Sequence, residues 1–179
     1  MLSAGVVAGW RLDEAIGSSR IDVRGASTML QVASDVPSAP GKTHNAARFL
    51  NDGNFLARSS EVPVGSGSFS LSCWVNWTVG GGAAGTCVGR QTGSNQMSLI
   101  VLGASGRPRF SVNGGVFTEV PSLPSGQWTH LALSHDNNIP AFKSYRNGVL
   151  VATTATTASS VNAPDMAIGV SLTALVEEA

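Results

Sequence analysis

The sequence predicts an all-β chain folded as a two-sheet antiparallel sandwich, and three observations carry that prediction. Glycine occurs 21 times and proline 8 times in 179 residues, leaving segments of roughly five to nine residues between turn signals. No window of about 12 or more residues keeps a helical period of apolar positions. The run Phe69-Ser70-Leu71-Ser72-Cys73-Trp74-Val75-Asn76-Trp77 alternates with period two. That spacing sets Phe69, Leu71, Cys73, Val75 and Trp77 on one face of a strand, and Ser70, Ser72, Trp74 and Asn76 on the other.

The remaining elements follow in order. Residues 6–12 form the first strand. Residues 46–50 and 54–58 flank Asn51-Asp52-Gly53, a hairpin signal because Asp and Gly accept positive φ. After the 69–77 strand, Gly80-Gly81-Gly82 reads as a loop. Residues 87–90, 97–103, 108–112 and 116–120 are short strands bounded by turn-forming residues. Residues 128–135 form a second long strand. Residues 142–146 and 149–154 are joined by Asn147-Gly148, a sequence pair that demands a tight hairpin. No internal repeat or linker divides the chain, so residues 1–179 are read as one domain.

Composition excludes several function classes. Hydrophobic residues make up 42% and charged residues 12%, with Lys+Arg and Asp+Glu balanced at 11 each. A neutral chain without a basic cluster is not built to neutralise phosphates, so no nucleic-acid partner is expected. Apolar runs such as Leu99-Ile100-Val101-Leu102 are far too short to span a bilayer, so no membrane insertion is expected. The stretch from Met1 to Trp10 lacks the basic start and apolar core of a secretory signal. The two cysteines, Cys73 and Cys87, could pair with each other, but a lone pair is not a disulfide framework, and they read by default as buried free thiols.

Five stretches together resemble a known family. They are Gly9-Trp10-Arg11-Leu12-Asp13-Glu14-Ala15, Ala46-Ala47-Arg48-Phe49, Phe69-Ser70-Leu71-Ser72-Cys73-Trp74-Val75, Gly126-Gln127-Trp128-Thr129-His130-Leu131-Ala132 and Tyr145-Arg146-Asn147-Gly148. In this order they are similar to the laminin-G-like, concanavalin A-like jelly rolls, a superfamily that includes pentraxins and legume lectins. The resemblance implies two stacked antiparallel sheets. It also implies a choice among glycan binding, protein adhesion and glycoside hydrolysis, which the fold alone does not make.

No catalytic constellation emerges. Glycoside hydrolysis needs two carboxylates on one surface, and the resemblance would place them in a Glu-x-Asp-x-Glu strand that this chain lacks. Asp13-Glu14 would face opposite ways on a strand, and the other acids stand singly apart from Glu177-Glu178 near the chain end. His130 and His135 are five positions apart and so point to opposite faces. His130 reads as a hydrogen-bonded core residue and His135 as part of a solvated turn. The domain is therefore expected not to be an enzyme.

Calcium is the one cofactor to weigh, since the resemblance implies loop ligands for it. Asp52, Asn54, Asp136 and Asn138 are the candidate oxygen donors. A hard cation wants about six to eight oxygens, several of them charged. The loops here carry mostly Ser, Thr, Gly and Asn, so no cofactor is expected. Nor does the family's cysteine pattern carry over, because the Trp-x-His strand that would pair with Cys73 holds no cysteine.

These features predict a non-catalytic module that works by surface recognition or assembly. The principal expectation is a virion surface component of a phage, a capsid decoration or tail adhesion protein, found on the particle or outside the cell after release. The alternative is a lectin-like glycan-binding module of a larger secreted protein. Protein partners or self-association are expected, with glycan as a further partner. Family members end in a strand that pairs beside the first one, and residues 171–179 depart from that pattern. Val6, Val7, Trp10 and Leu12 would then line an open edge, covered by a neighbouring chain or sealed by residues 172–176.

Overall fold

The computed structural model describes residues 8–24, 28–33, 35–49, 54–58, 68–79, 85–92, 95–102, 105–112, 115–136, 138–139, 141–155 and 165–169. They contain thirteen strands and no helix. The strands are β1 (Leu30–Ala33), β2 (Ser38–Pro40), β3 (Asn45–Ala47), β4 (Asn54–Arg58), β5 (Phe69–Asn76), β6 (Gly85–Thr92) and β7 (Asn95–Leu102). There follow β8 (Arg107–Val112), β9 (Gly115–Glu119), β10 (Trp128–Asp136), β11 (Ala141–Arg146), β12 (Val149–Ala155) and β13 (Asp165–Ile168).

All pairings are antiparallel. One sheet has seven strands in the order β1-β4-β13-β6-β7-β8-β9, and the other has four in the order β12-β11-β10-β5. A separate ribbon joins β2 to β3. At one side of the sandwich β5 brings Cα atoms within 8 Å of β6, and at the other β12 does the same with β9.

Alternation builds the core. Thr129, Leu131, Leu133 and His135 of β10 are buried, while Trp128, His130, Ala132, Ser134 and Asp136 between them are half-buried on the outer face. Leu131, Leu133 and Phe142 meet Leu56, Leu99, Val101, Phe110 and Ile168 of the facing sheet. Each such side chain is worth about 1.5–3 kcal/mol of burial. On β5 the expected inward set, Phe69, Leu71, Cys73 and Val75, packs against this cluster together with Trp77 just beyond the strand. Trp77 lies flat over Gly106, where an added Cβ would sit 2.8 Å from the indole at a φ of +63°. Only glycine suits that position.

The Asn147-Gly148 turn forms as expected, with φ of 50° and 80°. Asn147 donates its backbone N–H to the His130 carbonyl at 2.9 Å. Its side-chain Oδ1 accepts the His130 N–H at 2.9 Å, so one residue ties the hairpin to β10.

Some expectations change. The strand over residues 6–12 reduces, in its described part, to a single bridge between Trp10 and Asp22. Leu12 takes a φ of 61°, a left-handed conformation that ends any extended run. The strand at 46–50 shrinks to β3, and three short strands, β1, β2 and β13, were not foreseen. β1 is only four residues long, β2 ends on a proline, and β13 starts on Asp165 and lacks alternation. The Asn51-Asp52-Gly53 turn and residues 171–179 lie outside the described residues.

The histidine assignment reverses. His135 is the buried one, 5% exposed, and stacks between Phe69 and Phe142 at centroid distances of 5.3 and 4.7 Å. His130 faces outward. Its neighbours Leu131 and Leu133 share a face with His135, because they differ from it by even numbers of residues.

Candidate binding face

The outer surface of the four-stranded sheet is built from short polar side chains and a few large rings. Register places Ser70, Ser134 and Lys143 in one row, and Ser72, Ala132 and Tyr145 in the next. The third row pairs Trp74 with His130, and the fourth pairs Asn76 with Trp128. Directly opposite residues on antiparallel strands bring side chains together. The Trp74 and His130 rings accordingly lie 5.2 Å apart, inclined at 51°.

Trp74 is 49% exposed, a large apolar ring left open where its neighbours on β5 are small and polar. The turn between β2 and β3 reaches it from outside the sheet, setting Lys42 Nζ 5.2 Å from the centre of the indole. A cation so placed is attracted to the negative ring face. The indole supplies a flat apolar plate, and the surrounding hydroxyls, imidazole and amine supply hydrogen-bond donors and acceptors. Such a mixture suits a ligand with one C–H-rich face and many hydroxyls.

Asp136 is the only carboxylate carried by the four strands of this sheet. Its Oδ1 accepts the Asn138 backbone N–H at 2.9 Å and faces the Ser68 hydroxyl at 3.5 Å, closing an Asx turn. Asp136 and Asn138 thus share one turn, which accounts for both residues. Asp52 lies outside the described residues, and Asn54 is described only as the backbone partner of Ala33. Among the described residues no three His, Cys, Asp or Glu side chains gather in a way that could hold a metal ion.

The edge residues Val6 and Val7 also lie outside the described residues. Trp10 and Leu12 are half-buried and pack on the core. The neighbouring backbone is held by Asp22, whose Oδ1 accepts the N–H groups of Gly9 and Arg24 at 2.9 and 3.0 Å. Arg20 escaped sequence reading altogether, since a charged residue after two serines reads as solvated. It is fully buried, donating to the Ala15 and Val36 carbonyls at 2.9 and 3.2 Å.

The family model Laminin_G_3, of the concanavalin A-like lectin/glucanases superfamily, matches residues 24–175. The chain belongs to this family. No curated protein sequence matches this Laminin_G_3 domain significantly. Among solved structures it is similar to domain 4 of AbnA, an extracellular arabinanase of Geobacillus stearothermophilus solved in complex with arabinotriose. That similarity has 22% identity and a TM-score of 0.64, covering 87% of this chain and 84% of the other. The carbohydrate-binding module CBM66 from Bacillus subtilis aligns at 18% identity and a TM-score of 0.50, over 75% of this chain and 84% of that one. The binding domain of botulinum neurotoxin serotype G aligns at 17% identity and a TM-score of 0.66, over 83% of this chain but only 40% of its own length. At these identities the likeness establishes the jelly-roll sandwich.

Proposed function

We propose that the domain is a non-catalytic carbohydrate-binding module that takes its glycan on the outer face of the four-stranded sheet. The half-exposed Trp74, bracketed by His130 and Lys42 on an otherwise small and polar surface, carries this reading. A sugar ring packs its C–H face on the indole, while Ser72, His130 and Tyr145 hydrogen-bond its hydroxyls. The similarity to an arabinanase domain in complex with arabinotriose and to a carbohydrate-binding module supports it. The single carboxylate of this sheet supports binding without hydrolysis. The virion-component reading draws no support from these relatives.

Glycan-array screening of the wild type, followed by calorimetry on the best hit with Trp74→Ala, tests the assignment. Binding to a defined glycan that falls at least tenfold in the variant is the expected result. A glycan that binds equally well without the indole would move the site elsewhere.

A further inference from the structure

Cys73 and Cys87 belong to different sheets, yet both side chains turn into the sandwich and pack on the same core cluster, close enough for each thiol to act on the other. Both are free and half-buried, and both pack against the hydrophobic core. Two features of the backbone bring them together. First, β5 and β6 approach within 8 Å between Cα atoms, closer than the roughly 10 Å at which stacked sheets normally face each other. Second, the register of β6 shifts between Thr86 and Val88. Gly85 pairs with Val101 and Val88 with Leu99, both buried partners, so Cys87 is the extra residue of a bulge. Bulges re-aim a side chain at the cost of a ladder position. Here the bulge lies at Cys87, whose side chain packs on the core cluster that Cys73 also meets.

We infer that Cys73 and Cys87 are an oxidisable pair that closes into an inter-sheet disulfide. The oxidant is a low-molecular-weight disulfide such as glutathione disulfide. One cysteine thiolate attacks it, forming a mixed disulfide and expelling one glutathione thiolate. The second cysteine gives its proton to solvent and attacks the mixed disulfide, expelling the second glutathione. One protein S–S bond replaces two S–H bonds, and the external disulfide takes up the two electrons and two protons as two thiols. The bond would close the loop between positions 73 and 87, pinning β5 to β6 directly beneath Trp74.

Intact-mass spectrometry of the full chain, reduced and then equilibrated with glutathione disulfide, tests the assignment. The expected result is a loss of two hydrogens, a cross-linked peptide holding both cysteines, and a thermal midpoint higher by roughly 5–10 °C. The Cys87→Ser variant should show no oxidant-dependent shift in midpoint; if it fails to fold, the wild-type mass and peptide map decide alone. An unchanged mass, or retention of one glutathione without ring closure, would overturn the assignment.

Discussion

The Arg20 guanidinium and the Glu14 carboxylate meet 3.9 Å apart at Nε and Oε2, and neither of those two atoms holds a hydrogen bond. Coulomb attraction, not a directed bond, links them. The stronger anchors of Arg20 are its two carbonyl partners, which lie on either side of it in sequence and draw the 8–24 segment onto the core. Replacing Arg20 with Ala leaves those carbonyls and Glu14 uncompensated and empties a buried volume. The expected loss is about 3 kcal/mol. Glu14→Gln keeps the shape and the Ile21 N–H acceptor, and should lose about 1 kcal/mol or less. Urea unfolding midpoints of the two variants measure the difference.

Gly106→Ala should be among the most damaging small substitutions in the molecule. It forces a Cβ to 2.8 Å from the Trp77 ring at a positive φ, combining a clash with backbone strain. A loss of about 2–4 kcal/mol is expected, visible as a lowered thermal midpoint and a shifted Trp77 emission.

At Asn147 the conformation and the side-chain bond can be separated. Asn147→Gly keeps the positive φ and loses the acceptor for the His130 N–H. Asn147→Ala loses both. The glycine variant should cost about 1 kcal/mol and the alanine variant about 2. Equal costs would show that the Oδ1 bond contributes everything.

Lys42→Ala uncovers one face of Trp74. Tryptophan fluorescence should shift as the cation leaves the ring, while stability changes by about 0.5–1 kcal/mol at most. Where the glycan is neutral, affinity should hold or rise because the plate is already clear. An affinity loss of tenfold or more would assign Lys42 a direct bond to the ligand.

Alkaline pH should weaken the reduced protein. The neighbouring Cys87 thiol, then burial, raise the Cys73 thiol well above its ordinary range. The unfolded chain therefore releases that proton first as pH rises. The associated stability is complete below the ordinary thiol pKa of about 8.5 and drains away as pH climbs toward the folded value. Thermal midpoints of the reduced wild type should fall more steeply above that pH than those of Cys73→Ala.

Sequence reading reached the parts of the fold that depend on neighbours along the chain. The alternation in β5 placed Trp74 on the polar face, and the Asn147-Gly148 pair located its hairpin. Parity put His130 and His135 on opposite sides. The buried side followed from Leu131 and Leu133, whose spacing from His135 was available but unused. Lys42 above Trp74 was not legible, because it depends on how the β2–β3 ribbon docks on a distant strand. The burial of Arg20 and the bulge at Cys87 likewise arise from packing between segments far apart in sequence.

The position of β13 has a consequence for synthesis. It lies between β4 and β6 in the middle of the seven-stranded sheet, although residues 165–168 follow every other described strand along the chain. A nascent chain emerging from the ribosome therefore holds two half-sheets, β1-β4 and β6 to β9, with facing edges that have no partner. The last described strand to appear is the keystone, and until it arrives the open edges of β4 and β6 can pair with other chains. Such non-local closure makes folding slow relative to translation. Chains arrested before residue 165 should be the species that chaperones hold and that aggregate when chaperones are scarce.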